Sequence, residues 1–167
     1  MGELAAAQKR LEDLIKRLEE STRGDDEFIP ISGPFADAKG QLPWPVRGKV
    51  IAGFGLQRND QYGTQTRNNG IDIRTAAGKP VRAVADGKVI FRDWLTGYGN
   101  CVLLNHGDSY YTLYAHASEV TVVMGQTVRS GDVIARAGET GSLNGTKLHF
   151  EVRKGSNALN PRRWLGK

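Results

Sequence analysis

The chain has 167 residues, of which 39% are hydrophobic and 21 are glycine, and it carries a formal charge of +5. This length allows one domain of ordinary size plus an appendage, with one core. The positive balance suits an acidic polymer or an anionic surface. It does not suit nucleic acid, because no Lys/Arg cluster with interleaved aromatics appears; and no run of 18 apolar residues is present to span a membrane.

Taken in order, residues 1–24 read as a helix. Leu4, Ala7, Leu11, Leu14 and Leu18 fall on the a and d positions of a heptad, with Lys9–Asp13 and Lys16–Glu20 at i,i+4 spacing and Gly24 as a stop signal. The pattern starts at the very first residues without an N-cap, so the segment reads as the end of a coiled coil in a longer protein; a signal peptide is not present either. The other reading is a short amphipathic helix lying on the domain. Residues 25–43 are a linker by composition, with three prolines and no sustained period. Phe28, Ile29, Ile31 and Phe35 are apolar for a free linker, so part of it is expected to pack on something.

From Trp44 to the end the texture is that of an all-β domain of Gly-punctuated antiparallel strands. Strands are expected over 49–54, 70–74, 81–85, 88–94, 100–105, 110–116, 119–123, 133–137 and 148–153. The polar stretch 56–69 reads as a surface loop. Cys101, the only cysteine, lies in an apolar run and reads as a small buried residue. His106 reads as a structural histidine of a turn, Trp94 and Trp164 as packing residues, and Trp44 as an anchor for the linker.

Three stretches set polar residues on one strand face, since side chains alternate with period two. They are Asn68, Gly70 and Asp72 in N-N-G-I-D-I, then Thr112, Tyr114 and His116 in Y-Y-T-L-Y-A-H, then Lys147, His149 and Glu151 in K-L-H-F-E. If adjacent, they would floor a groove, with Tyr114 either a groove wall or a buried structural tyrosine.

The segments G-I-D-I-R-T-A-A-G-K-P-V-R-A-V-A-D-G-K-V, Y-T-L-Y-A-H-A-S, G-D-V-I-A-R-A-G, L-H-F-E-V-R and N-P-R-R-W-L occur here in that order. Together they resemble the lysostaphin/LytM zinc endopeptidases over residues 44–167. The heptads in front and the L-P-W-P-V-R-G and W-L-G-K segments are similar to the EnvC-type murein hydrolase activators. The resemblance places family metal ligands at Asn68, Asp72 and His149 and assisting residues at His116 and Lys147. Asn replaces a ligand His and Lys replaces a catalytic His, so no zinc and no catalysis are expected. A neutral amide is a poor zinc ligand beside imidazole, and an ammonium nearby opposes a dication.

The resemblance implies a periplasmic, extracytoplasmic activator of peptidoglycan amidases in cell division. It would bind the amidase through a groove of Asn68, Asp72, Tyr114, His116, Lys147 and His149, and meet a membrane division complex through the coiled coil. The alternatives are a zinc endopeptidase cutting peptidoglycan cross-links and a plain cell-wall binding module.

Overall fold

A computed structural model of the chain describes residues 3–21, 28–59, 64–142 and 145–167. The first element is a helix, α1 (Glu3–Ser21); Gly24, the expected stop, lies outside the described residues. Ala7, Leu11 and Ile15 are fully buried, and Leu14 and Leu18 pack beside them. These residues form one stripe at i, i+4, i+8. The heptad reading omitted Ile15 and made Leu14 and Leu18 part of the seam. A sheet surface, rather than a second helix, receives the stripe, and this centres it on Ile15 and leaves Leu14 and Leu18 at its edges. α1 therefore lies on the domain. Contact is close at Gly97 (φ 94°), where an added Cβ would come within 2.3 Å of the Ala7 Cβ. Leu11→Ala is expected to lower unfolding stability by about 2–5 kcal/mol. A urea melt with an unchanged midpoint would show that the stripe does not hold α1.

Of the expected linker, residues 25–27 lie outside the described residues, and 28–43 strap onto the domain. Phe35–Ala38 forms a 3-10 turn. Phe35 is buried, stacked on His106 at 4.6 Å and Trp164 at 5.0 Å between ring centroids. The Ser32 hydroxyl donates to Asp86 Oδ2 at 2.7 Å, and Trp44 Nε1 donates to the Gly166 carbonyl. Ile29 and Ile31 remain in solvent.

Twelve strands follow among the described residues. They are β1 (Lys49–Ala52), β2 (Gly55–Asn59), β3 (Thr64–Asn68), β4 (Ile71–Arg74), β5 (Pro80–Arg82) and β6 (Gly87–Leu95). Then come β7 (Gly99–Asn105), β8 (Tyr110–Val120), β9 (Thr127–Val128), β10 (Val133–Ala137), β11 (Lys147–Lys154) and β12 (Asn157–Leu159). The main antiparallel sheet runs β1-β4-β11-β8-β7-β6-β9, with β10 on β8 and β5, and β12 on β11. The stretch 56–69 is not a loop. It forms the hairpin β2–β3, in register from Gly55↔Asn68 to Asn59↔Thr64. Among the described residues these strands pair only with each other, and the sequences G-L-Q-R-N and T-Q-T-R-N hold no period-two apolar pattern. The separate strand expected at 119–123 is in part the end of β8, while β9 and β12 are too short to carry a pattern.

Alternation gives the sheet two apolar sides. One core gathers Ile71, Ile73, Val102, Leu104, Tyr114, Leu148, Phe150 and Val152 under Phe35 and Trp164. The other gathers Cys101, Leu103, Tyr111, Leu113 and Ala115 under α1. Trp94 departs from its expected packing role and is 53% exposed.

Candidate functional site

β11 lies between β4 and β8, and His149 stands opposite both Asp72 and Ala115. The sheet thus brings Asp72, Lys147 and His149 together on the side that α1 partly covers. Gly70 makes the approach possible, since a Cβ there would lie 2.1 Å from the Phe150 carbonyl.

Their polar atoms are already committed to one another. Lys147 Nζ donates to Asp72 Oδ2 at 2.9 Å. His149 Nδ1 meets Asp72 Oδ1 at 2.6 Å, and Nε2 meets Glu151 Oε2 at 2.7 Å. Arg153 Nε donates to Glu151 Oε1 at 2.6 Å. Carboxylates only accept, so both imidazole nitrogens donate and His149 is an imidazolium. The result is a buried row of alternating charge: Lys147, Asp72, His149, Glu151, Arg153.

The proton affinities follow from this row. Burial disfavours the His149 charge, but the bonds to Asp72 and Glu151 and their charges outweigh it and raise its pKa to about 9. Burial likewise opposes the Asp72 anion, yet His149 and then Lys147 hold it well below the usual carboxylate range. Against burial, the Arg153 charge and His149 lower Glu151. Burying unpaired ions is expensive, so the row is stable only while every member stays matched.

His116 joins from an unexpected direction. Strict alternation would put it on the side of Tyr114. Instead its backbone adopts φ 67°, and its N–H donates to the Tyr98 carbonyl. The alternation slips by one, so that Ala117 points into the same core as Tyr114. The His116 ring then lies 6.2 Å from that of His149. Its Nδ1 donates to the Thr140 carbonyl at 2.8 Å. Burial, with the His149 charge, lowers its pKa to about 4, so the ring is neutral.

Tyr114, expected as a possible groove wall, lies on the opposite side. It is fully buried; its hydroxyl accepts from Val84 N–H and is hydrogen-bonded to Thr112 Oγ1. Asn68, at the base of the hairpin, accepts from Gly70 N–H at 3.2 Å. His106 is structural: Nδ1 donates to the Asp86 carbonyl, and Nε2 meets Thr112 Oγ1. Burial lowers its pKa to about 4. Sequence reasoning did not select Arg153, Tyr98 or Thr140. The period-two face of β11, extended one step beyond Glu151, would have reached Arg153; nothing in the sequence marked the other two.

A catalytic zinc would need lone pairs from three ligands and an open position. Here both His149 nitrogens bear protons, Asp72 is held by two cations, and the Asn68 carboxamide oxygen faces its own backbone. Among the described residues, no group of three His, Cys, Asp or Glu side chains is placed to hold a metal. The residues present do not fit the ion.

Comparison with known proteins agrees with this architecture. Over 146 residues, 87% of the chain, it is 36% identical to the murein hydrolase activator EnvC of Escherichia coli K12, spanning 34% of that protein. Over 119 residues it is 40% identical to the cell division protein DipM of Caulobacter vibrioides, covering 71% of this chain and 19% of DipM. The chain therefore spans about a third or less of these relatives. A zinc-containing peptidase from Vibrio cholerae superposes with a TM-score of 0.68 at 32% identity, covering 74% of this chain and 40% of that one. Residues 66–161, more than half of the chain, match Peptidase family M23, and the chain belongs to that family.

Proposed function

We propose that the chain is a non-catalytic activator of peptidoglycan amidases (N-acetylmuramoyl-L-alanine amidases), acting outside the cytoplasm in cell division and daughter-cell separation. One observation carries the non-catalytic part. The row from Lys147 to Arg153 already engages both oxygens of Asp72 and both ring nitrogens of His149, the lone pairs that a metal centre would need. Without a metal, no bound water is activated as a nucleophile. The relatives named as a murein hydrolase activator and a cell division protein support the activating part.

The same face supports a binding mode. Cys101, Leu103, Tyr111, Leu113 and Ala115 form an apolar floor, and α1 already seats its stripe there. A floor that accepts one amphipathic helix suits another, with the charged row as a polar rim. The Tyr98 hydroxyl and Arg153 Nη2, on this side of the sheet, are buried with no hydrogen-bond partner among the described residues. Each unmet group weakens the seal by about 1–3 kcal/mol, which favours exchange of α1 for a partner helix. A partner that binds only in its active conformation shifts that equilibrium by its differential affinity.

The experiment is dye release from labelled sacculi by a purified amidase, with increasing amounts of the chain. Saturable stimulation is expected, and the chain alone should release nothing. A flat response across the titration contradicts the proposal.

A further inference from the structure

A second feature lies away from the charged row, where the domain begins. Trp44, Pro45 and Arg47 face Lys79, Pro80 and Arg82 across a cleft of about 410 Å³. The two walls are tied by the hydrogen bond from Arg82 N–H to the Pro45 carbonyl, at 2.8 Å. The Trp44 indole is pinned at one edge by its bond to the Gly166 carbonyl, 2.9 Å, so its half-buried ring is a fixed wall. Arg47, Lys79 and Arg82 are exposed, and none forms an ion pair among the described residues. Arg136, opposite Pro80, has Glu119 across from it on its other side, so the charge of the cleft rests on Arg47, Lys79 and Arg82. Among the described residues, no acidic side chain lines the cleft.

Three exposed cations without ion pairs among the described residues, one of them, Arg82, steadied by its bond to the Gly131 carbonyl, beside a rigid aromatic and Pro80 fit a ligand with carboxylates spaced along a compact, partly apolar backbone. Guanidinium and ammonium groups supply charge-assisted bonds to carboxylate. Trp44 and Pro80, both half-buried, give flat apolar surface for a sugar or peptide face. A bilayer fits less well. The cleft is concave, and none of the large exposed apolar side chains (Ile29, Ile31, Leu56, Trp94, Val123, Met124) lines it to insert among acyl chains.

We propose that this cleft is a second binding site, which holds a carboxylate-bearing segment of peptidoglycan and keeps the chain on the wall while the α1 face engages its partner. The inference rests on the reading that the chain works at the cell wall, but not on amidase activation.

The test is co-sedimentation with purified sacculi, using the unaltered chain and a double variant, Arg47→Glu with Lys79→Glu. Neither side chain makes an ion pair, so the fold should persist. The variant is expected to bind sacculi on the order of tenfold more weakly, while co-eluting with the amidase as before. Sacculi whose carboxylates have been converted to amides should lose the unaltered chain to a similar extent, which keeps the test valid should the variant fail to fold. Unchanged sedimentation of a folded variant, or undiminished binding to amidated sacculi, overturns the proposal. So does binding of the unaltered chain to anionic phospholipid vesicles in preference to sacculi. If sacculus binding and its loss are observed but no amidase co-elutes, the cleft assignment stands and the activator reading falls.

Discussion

A protein carrying both Asn68→His and Lys147→His is expected to bind Zn²⁺ at least on the order of a hundredfold more tightly than the unaltered chain. Lys147→His removes the ammonium 2.9 Å from Asp72 Oδ2 and frees that oxygen. It also removes one of the charges that hold Asp72 ionised beside His149. Asn68→His supplies an imidazole at the base of the hairpin, where the present side chain only accepts from Gly70 N–H. A dication can then take the place of the proton between Asp72 and His149. Competition against a chromophoric chelator measures the gain. Peptidase activity should return only in part, because α1 still lies on the same face. No gain in affinity would mean that positions 68 and 147 do not reach the metal position beside Asp72 and His149.

The second large effect is on stability. Glu151 is fully buried and joins His149 to Arg153. Glu151→Gln leaves an imidazolium and a guanidinium facing a neutral amide, and should cost about 3–5 kcal/mol. The same network sets the pH dependence. The folded-state pKa of His149 is raised to about 9, above its unfolded value of about 6.5. Its contribution is therefore complete below pH ~6.5 and is lost as pH rises towards about 9, an effect of roughly 3 kcal/mol. His106 and His116 act in the other direction. Both are lowered to about 4 in the fold, so the unfolded chain gains protons first and stability falls as pH drops from ~6.5 towards 4. Asp72 and Glu151, both lowered, stabilise at neutral pH and lose that contribution on further acidification. Urea midpoints should peak near pH ~6.5, and the alkaline limb should flatten in Glu151→Gln. A variant whose midpoint falls between pH 7 and 9 as steeply as the parent's would contradict this account.

Much of this was legible in the sequence for a physical reason. The period-two pattern of I-D-I and L-H-F-E-V marks a buried face and the apolar run C-V-L-L marks burial on both sides of a sheet, and Ile71, Ile73, Leu148 and Phe150 are core residues as expected. The pairing of Asp72 with His149 was implied by resemblance, and the register of β4 on β11 accounts for it. What escaped was non-periodic. One left-handed residue, His116, shifts the alternation of β8, which separates Tyr114 from the face it was assigned to. The hairpin β2–β3 has no apolar side to announce it. The a/d spacing in α1 shows that the helix buries a stripe, but not whether a helix or a sheet receives it. Glu151 was placed on the correct face, yet its role depends on proton positions that composition does not encode.

The claim on which the rest depends is that His149 is a doubly protonated ring held between two carboxylates. Side-chain ¹⁵N–¹H correlation spectra of the histidines at pH 7 report this directly. The account predicts that both His149 nitrogens carry hydrogen and that stoichiometric Zn²⁺ leaves both signals in place. A bare nitrogen on His149 that shifts when Zn²⁺ is added would contradict it and restore the metallopeptidase reading.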